Sequence, residues 1–79
     1  MSEIRMYGTT WCGDCVRAKK YMDDNGIEYS WTDIDKEPEF VTLIKELNHG
    51  EQRVPTLVFP DGSVLIEPTN DQLKTKLGL

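Results

Sequence analysis

Trp11-Cys12-Gly13-Asp14-Cys15 is the stretch on which the reading of this chain turns. Two cysteines three positions apart in the first turn of a helix have Cβ atoms roughly 5–6 Å apart. That is close to the separation a disulfide requires, so a bond between them can open and close with small adjustments. Before the pair, Glu3-Ile4-Arg5-Met6-Tyr7 reads as a strand, and after it Val16 to Asn25 reads as a helix. Gly8-Thr9-Thr10 turns the chain from one into the other. Two blander explanations compete: a structural disulfide, or half of a zinc site.

A strand, a short turn and a helix that carries Cys-x-x-Cys is the pattern of a thioredoxin-like redox site. The chemistry explains the spacing. Only the thiolate is a nucleophile, and a free cysteine with a pKa of about 8.5 is mostly protonated at neutral pH. Cys12 falls where the helix begins, so unpaired backbone N–H groups and the positive end of the helix dipole favour charge on its sulfur. Cys15, one turn deeper on the apolar stripe, is expected to keep a higher pKa and to act as the resolving thiol. Arg17, Lys19 and Lys20 add positive charge nearby, whereas Asp14 suits the helix start but repels a thiolate two residues away.

Seventy-nine residues allow one domain, spanning 1–79, near the lower limit for a core that folds without staples. Glu3 and Arg5 interrupt the first apolar run, so it reads neither as a signal peptide nor as a membrane span. Two cysteines in one reactive-looking motif fit a reducing, cytoplasmic setting better than a secreted scaffold. The net charge of −5 is uneven. Residues 1–22 carry four cations against two acids, residues 23–51 nine acids against two lysines, and residues 52–79 three of each. With no basic face, nucleic-acid binding is not expected. The mildly basic first third is compatible with a small anionic thiol substrate.

Ile4 and Met6 alternate with Glu3, Arg5 and Tyr7, a weak period-2 signal of a strand. Cys15, Ala18 and Met22 form a buried helical stripe, with Arg17, Lys20 and Asp24 outward, and Asn25-Gly26 is a stop signal. Ile27, Tyr29 and Trp31 alternate with Glu28, Ser30 and Thr32, a second strand parallel to the first in a βαβ unit. Asp35 and Pro38 open a second helix, in which Phe40, Leu43, Ile44 and Leu47 recur at helical spacing. Asn48-His49-Gly50 ends it. His49, the single histidine, is expected in a loop rather than as a proton shuttle or ligand. Leu57-Val58-Phe59 and Val64-Leu65-Ile66 flank the turn Phe59-Pro60-Asp61-Gly62 as an antiparallel hairpin. Thr69-Asn70-Asp71-Gln72 has the form of a capping box before a last helix with Leu73 and Leu77 on one face.

The order β-α-β-α-β-β-α, the Trp-Cys-x-x-Cys motif and Val54-Pro55 ahead of the third strand resemble the glutaredoxin family over nearly the whole chain. The short form, Arg53-Val54-Pro55-Thr56 and Pro68-Thr69 look most like the mycoredoxins within it. The resemblance implies an α/β, thioredoxin-like fold, a four-stranded mixed sheet with helices on both faces. It also implies a cis bond before Pro55, with the Val54 backbone free to pair with an extended thiol substrate. Where glutathione-using members carry Gly-Gly-Cys-Asp-Asp, this chain has Glu67-Pro68-Thr69-Asn70-Asp71. With the Thr69 hydroxyl on the N3 donor, the N–H groups of Asn70 and Asp71 are left for an anion. The lysine usual three residues before the first cysteine is replaced by Thr9, and Gly13-Asp14 stands for the common Pro-Tyr.

The resemblance thus implies a monomeric thiol-disulfide oxidoreductase with Cys12 as nucleophile and Cys15 as resolving thiol. Trp11, Arg53, Val54, Pro55, Thr69, Asn70 and Asp71 are the implied substrate-binding residues. Its partners are disulfide-containing proteins, a low-molecular-weight thiol (mycothiol, glutathione or bacillithiol) as co-substrate, and a flavin-dependent reductase system. No tightly bound cofactor or metal, and no membrane partner, is expected. Two alternatives remain open: a thioredoxin-like donor reduced directly by a flavin-dependent reductase, and a dimeric iron–sulfur carrier using Cys12 from two subunits.

Overall fold

The computed structural model describes residues 3–79. Strand β1 (Ile4–Gly8) leads into helix α1 (Gly13–Asp24), and the chain returns as β2 (Tyr29–Asp33). Helix α2 (Glu39–Leu47), the hairpin β3 (Thr56–Val58) and β4 (Val64–Ile66), and helix α3 (Asn70–Leu77) complete it. The sheet order is β2-β1-β3-β4, with β2 parallel and β3 antiparallel to β1. This is the expected four-stranded mixed sheet. Among the described residues, no helix is long and apolar enough to cross a membrane.

The side-chain periods explain the layers. Cys15, Ala18 and Met22 are the buried residues of α1, spaced three and four apart. With Ile4, Met6, Leu57, Phe59 and Leu73, Ala18 and Met22 form one core cluster, and Leu77, Tyr21 and Trp31 pack on its margin. Each fully buried aliphatic or methionine side chain there contributes about 1.5–3 kcal/mol. On the other face Tyr7, Ile34 and Ile44 form a second cluster against α2, with Phe40 and Leu43 beside it. The Tyr7 and Phe40 rings lie 5.4 Å apart.

Tyr7, on the opposite face of β1 from Ile4 and Met6, is 2% exposed. β1 is flanked by β2 and β3 and covered on both sides, so alternation marks two apolar faces here rather than one wet and one dry. The element bounds also shift. β1 runs from Ile4 to Gly8, and α1 begins at Gly13, three residues before Val16.

Local chemistry closes each element. Gly26, at φ +67°, follows the end of α1, where the N–H of Ile27 reaches the carbonyl of Met22 at 2.9 Å. The hairpin turn is held by the Gly62 N–H on the Phe59 carbonyl at 2.9 Å. The capping box forms in full: Thr69 Oγ1 accepts from the Gln72 N–H at 3.1 Å, and Gln72 Oε1 accepts from the Thr69 N–H at 2.8 Å.

Candidate active site

Cys12 is the N-cap of α1, with extended backbone angles (φ −83°, ψ 121°), and is half-buried. Its thiol points at the Val54 carbonyl, 3.8 Å away across 42 residues of sequence. The Val54–Pro55 bond is cis, as the resemblance implied, and Pro55 is buried. The segment that presents Val54 is tied down from behind. Thr56 Oγ1 donates to the Arg53 carbonyl at 2.7 Å, the Pro55 carbonyl accepts from the Glu67 N–H at 2.8 Å, and Asn48 Nδ2 donates to Thr56 Oγ1 at 3.4 Å. The first cysteine and the proline segment therefore face each other, as expected.

Cys15 lies one turn deeper and is fully buried. Burial pushes its thiol up to about 12, the Cys12 side chain adds to the rise, and the Thr9 backbone and hydroxyl oppose it. The direction matches the expectation of a higher pKa at Cys15. The two cysteines are free, not joined in a disulfide.

Gly8 is what lets the second sulfur sit there. A Cβ at Gly8 would lie 2.6 Å from Cys15 Sγ and 3.0 Å from the Trp31 ring. The sequence reading treated Gly8 only as part of a turn; a lone glycine ending a strand is itself the signal of a close approach.

The remaining expected binding residues divide. Trp11 is 74% exposed beside Cys12, and its indole N–H donates to Asp35 Oδ2 at 2.7 Å. Sequence reading had used Asp35 only to start α2; here it holds the ring. Thr69, Asn70 and Asp71 lie exposed at the start of α3. Arg17, read as an outward residue, joins that end to α1, donating to Asn70 Oδ1 at 2.7 Å and to the Pro68 carbonyl at 2.8 Å. It also lies 3.5 Å from Asp14, so the acid thought to oppose the Cys12 thiolate has a cationic neighbour. Arg53 is exposed and bonded to Glu51 at 2.8 Å. His49 sits exposed past the end of α2 at φ +56°. Among the described residues no three His, Cys, Asp or Glu side chains are grouped to hold a metal ion.

An accessible sulfur at a helix start, a second sulfur buried behind it and a cis-proline segment opposite, all on this sheet order, define a protein of the thioredoxin fold built for disulfide exchange. A family model described as Glutaredoxin matches residues 4–65. A glutaredoxin-named protein of Mycobacterium tuberculosis is 38% identical, covering 94% of this chain and 88% of its own. Mycoredoxin 1 of Corynebacterium glutamicum is 32% identical over 98% and 95%. The crystal structure of a glutaredoxin from Archaeoglobus fulgidus superposes with a TM-score of 0.83 at 23% identity, covering 98% of this chain and 87% of that one. The chain belongs to the glutaredoxin family and is a thiol-disulfide oxidoreductase. Members of the family act on protein disulfides with a low-molecular-weight thiol as co-substrate.

Proposed function

We propose that this protein removes a low-molecular-weight thiol from protein mixed disulfides, with Cys12 as nucleophile, Cys15 as resolving thiol and mycothiol as the small thiol. The observation that carries the reading is the pairing of an accessible Cys12 with the Val54 carbonyl while Cys15 is fully buried behind it. The Cys12 thiolate attacks the small-thiol sulfur of the mixed disulfide. The new bond joins Cys12 to that thiol, and the protein sulfur leaves and takes up a proton. Cys15 then attacks Cys12, and the small thiol leaves reduced as the Cys12–Cys15 disulfide forms. A flavin-dependent reductase system returns the pair to thiols.

The cations around the site support mycothiol over a carboxylate-bearing thiol. Arg17 is spent on Pro68, Asn70 and Asp14, Arg53 on Glu51, and Lys20 on Asp24. Lys19 Nζ lies 4.0 Å from the centre of the Trp31 ring. An anionic thiol, with which the basic first third was compatible, must draw these cations from existing partners. Mycothiol, a sugar-linked thiol without a carboxylate, need not. Trp11, the Val54 backbone, Pro55 and the polar start of α3 (Thr69, Asn70, Asp71) then supply an aromatic face, an extended edge and hydrogen bonds for it, with Arg53 at the rim.

The test is one coupled assay on a mixed disulfide made with mycothiol, glutathione or bacillithiol, each with its own reductase. Turnover is expected with mycothiol and at least tenfold less with the other two. Cys12→Ser abolishes it. Retained activity in Cys12→Ser, or equal rates with all three thiols, refutes the reading. Rapid reduction by thioredoxin reductase with no small thiol present favours the thioredoxin-like alternative.

A further inference from the structure

We propose that Thr56 is a positioning residue for the substrate: its buried hydroxyl holds the Arg53 carbonyl from behind and so aims the Val54 N–H at the incoming mixed disulfide. The inference rests on the reading of the Val54 backbone as the edge that receives that disulfide.

One peptide unit carries the effect. The Arg53 carbonyl and the Val54 N–H are its two ends, the bond between them is trans, and a planar trans unit points those ends in opposite directions. Thr56 is 0% exposed, and its Oγ1 donates to the Arg53 carbonyl at 2.7 Å. The carbonyl end is thus aimed into the protein and held there, which leaves the N–H end pointing out. Thr56 Oγ1 in turn accepts from Asn48 Nδ2 at 3.4 Å, and that amide is anchored on the Ile44 carbonyl at 2.8 Å. With a donor already on its oxygen, the hydroxyl turns its proton to Arg53.

The position of Cys12 leads to the same edge independently. A residue before proline is held extended. An extended residue turns its own N–H and C=O to one side. The Val54 carbonyl meets Cys12 Sγ at 3.8 Å, so the Val54 N–H opens on the side of that sulfur. Pro55 has no N–H to offer. Val54 precedes β3, and no backbone carbonyl among the described residues accepts its N–H. It is the donor left for an amide carbonyl of the incoming thiol. Hydrogen bonds in a chain polarise one another, so Asn48, Thr56 and Arg53 in series also make that N–H a better donor. Without the hydroxyl, the peptide unit between Arg53 and Val54 can rock, and its N–H meets the substrate at more than one angle. The loss falls on binding, equally before and during sulfur transfer, so KM rises while kcat holds.

The experiment compares the wild type with Thr56→Val, which keeps the branched shape and removes only the hydroxyl, and with Thr56→Ser. The substrate is a peptide carrying mycothiol in a mixed disulfide, turned over in the coupled assay. Thr56→Val is expected to raise KM roughly two- to tenfold, the net worth of one hydrogen bond, with kcat within about twofold. Thr56→Ser restores KM. The control is excess 5,5′-dithiobis(2-nitrobenzoate), a disulfide with no amide to pair, mixed with the reduced protein while the yellow thiolate released is followed. Its first phase scales with reagent concentration and is attack by Cys12. Its second does not and is closure by Cys15. Both keep their wild-type rates in Thr56→Val. An unchanged KM overturns the proposal, and so does a serine variant as weak as the valine. A first phase that slows as KM rises overturns it too, because the whole site has then loosened. Should Thr56→Val not fold, amide hydrogen exchange decides. The Val54 N–H must exchange freely in the reduced wild type and slow when Cys12 of a Cys15→Ser variant carries mycothiol; protection already present in the reduced protein overturns the proposal. A wild type that does not turn over the mycothiol disulfide sinks the proposed function and this inference with it. Turnover with a KM indifferent to the hydroxyl sinks the Thr56 role alone.

Discussion

Gly8→Ala tests the geometry on which the second sulfur depends. The added methyl would sit 2.6 Å from Cys15 Sγ and 3.0 and 3.1 Å from two carbons of the Trp31 ring. The first is not a sustainable separation and the other two are tight, so something must move. Cys15 is fully buried, and the Trp31 ring is half-buried with Lys19 at its face. If the neighbours stay, the variant carries the cost of an overpacked core, about 1–3 kcal/mol. For a chain of this size each kcal/mol is about 4–8 °C in melting temperature, so the reduced variant should melt about 4–24 °C lower. If instead the sulfur rotates away, stability survives, but Cys15 withdraws from Cys12 and intramolecular closure slows, by about tenfold or more for even a small misplacement. Thermal melts of the reduced protein and the concentration-independent phase of thiolate release read the two outcomes. An alanine variant that melts within about 2 °C of the parent and closes at the parent rate would show that Gly8 is not needed for the approach.

Two further predictions concern stability. Thr69→Ala removes one half of the capping box on α3, so it should cost about 1 kcal/mol and lower the melting temperature by about 4–8 °C. Thr69→Ser should keep most of both, and a thermal melt showing the alanine and serine variants alike would contradict the capping role. The alkaline limb of stability should depend on redox state. Burial raises Cys15 from 9.0 to about 12, and burial with the Asp23 carboxylate beside it raises Tyr29 from 10.0 to about 12. Each favours the neutral form in the folded state, so each contribution is fully present below the unfolded pKa and is lost as pH rises towards 12. The reduced protein should therefore lose stability from about pH 9 upward. The disulfide form has no Cys15 proton to lose and should decline only from about pH 10. Parallel melting curves of the two forms between about pH 8 and 11 would refute this.

What the sequence made legible follows the range of each interaction. The capping box occupies four consecutive residues, and the stripe Cys15, Ala18, Met22 recurs within one helix, so both can be read before any fold is known. The partners of Asp35 and Arg17 were not legible because they are distant: Trp11 lies 24 residues from Asp35, and Asn70 lies 53 residues from Arg17. No spacing rule reaches that far. The burial of Tyr7 was not legible for a different reason. Period-2 alternation reports which side chains share a face, not whether the face is wet, and only the sheet order shows that β1 is covered on both sides. Thr9 stood out in the sequence only as a missing lysine. That its hydroxyl is buried without a hydrogen-bond partner is a fact of the folded chain that no local spacing carries.

The division of labour between the two sulfurs comes from a single feature of α1. Cys12 is the cap and not yet helical, so its side chain leaves the helix surface and meets the Val54 carbonyl at the protein's edge. Cys15 is already within the helix and falls on the stripe that continues through Ala18 and Met22 into the core. One turn of chain thus places one sulfur where a bulky disulfide can reach it and the other where only Cys12 can. A buried thiol with a raised pKa is a poor nucleophile towards outsiders, which protects it from side reactions. It must still form a thiolate at the moment of closure, and a cavity lined only with apolar groups would hinder that. Thr9 at the end of β1 counters part of the rise that burial imposes, and Gly8 beside it leaves the sulfur its room, so the strand that leads into the motif is as much part of the site as the helix that follows it.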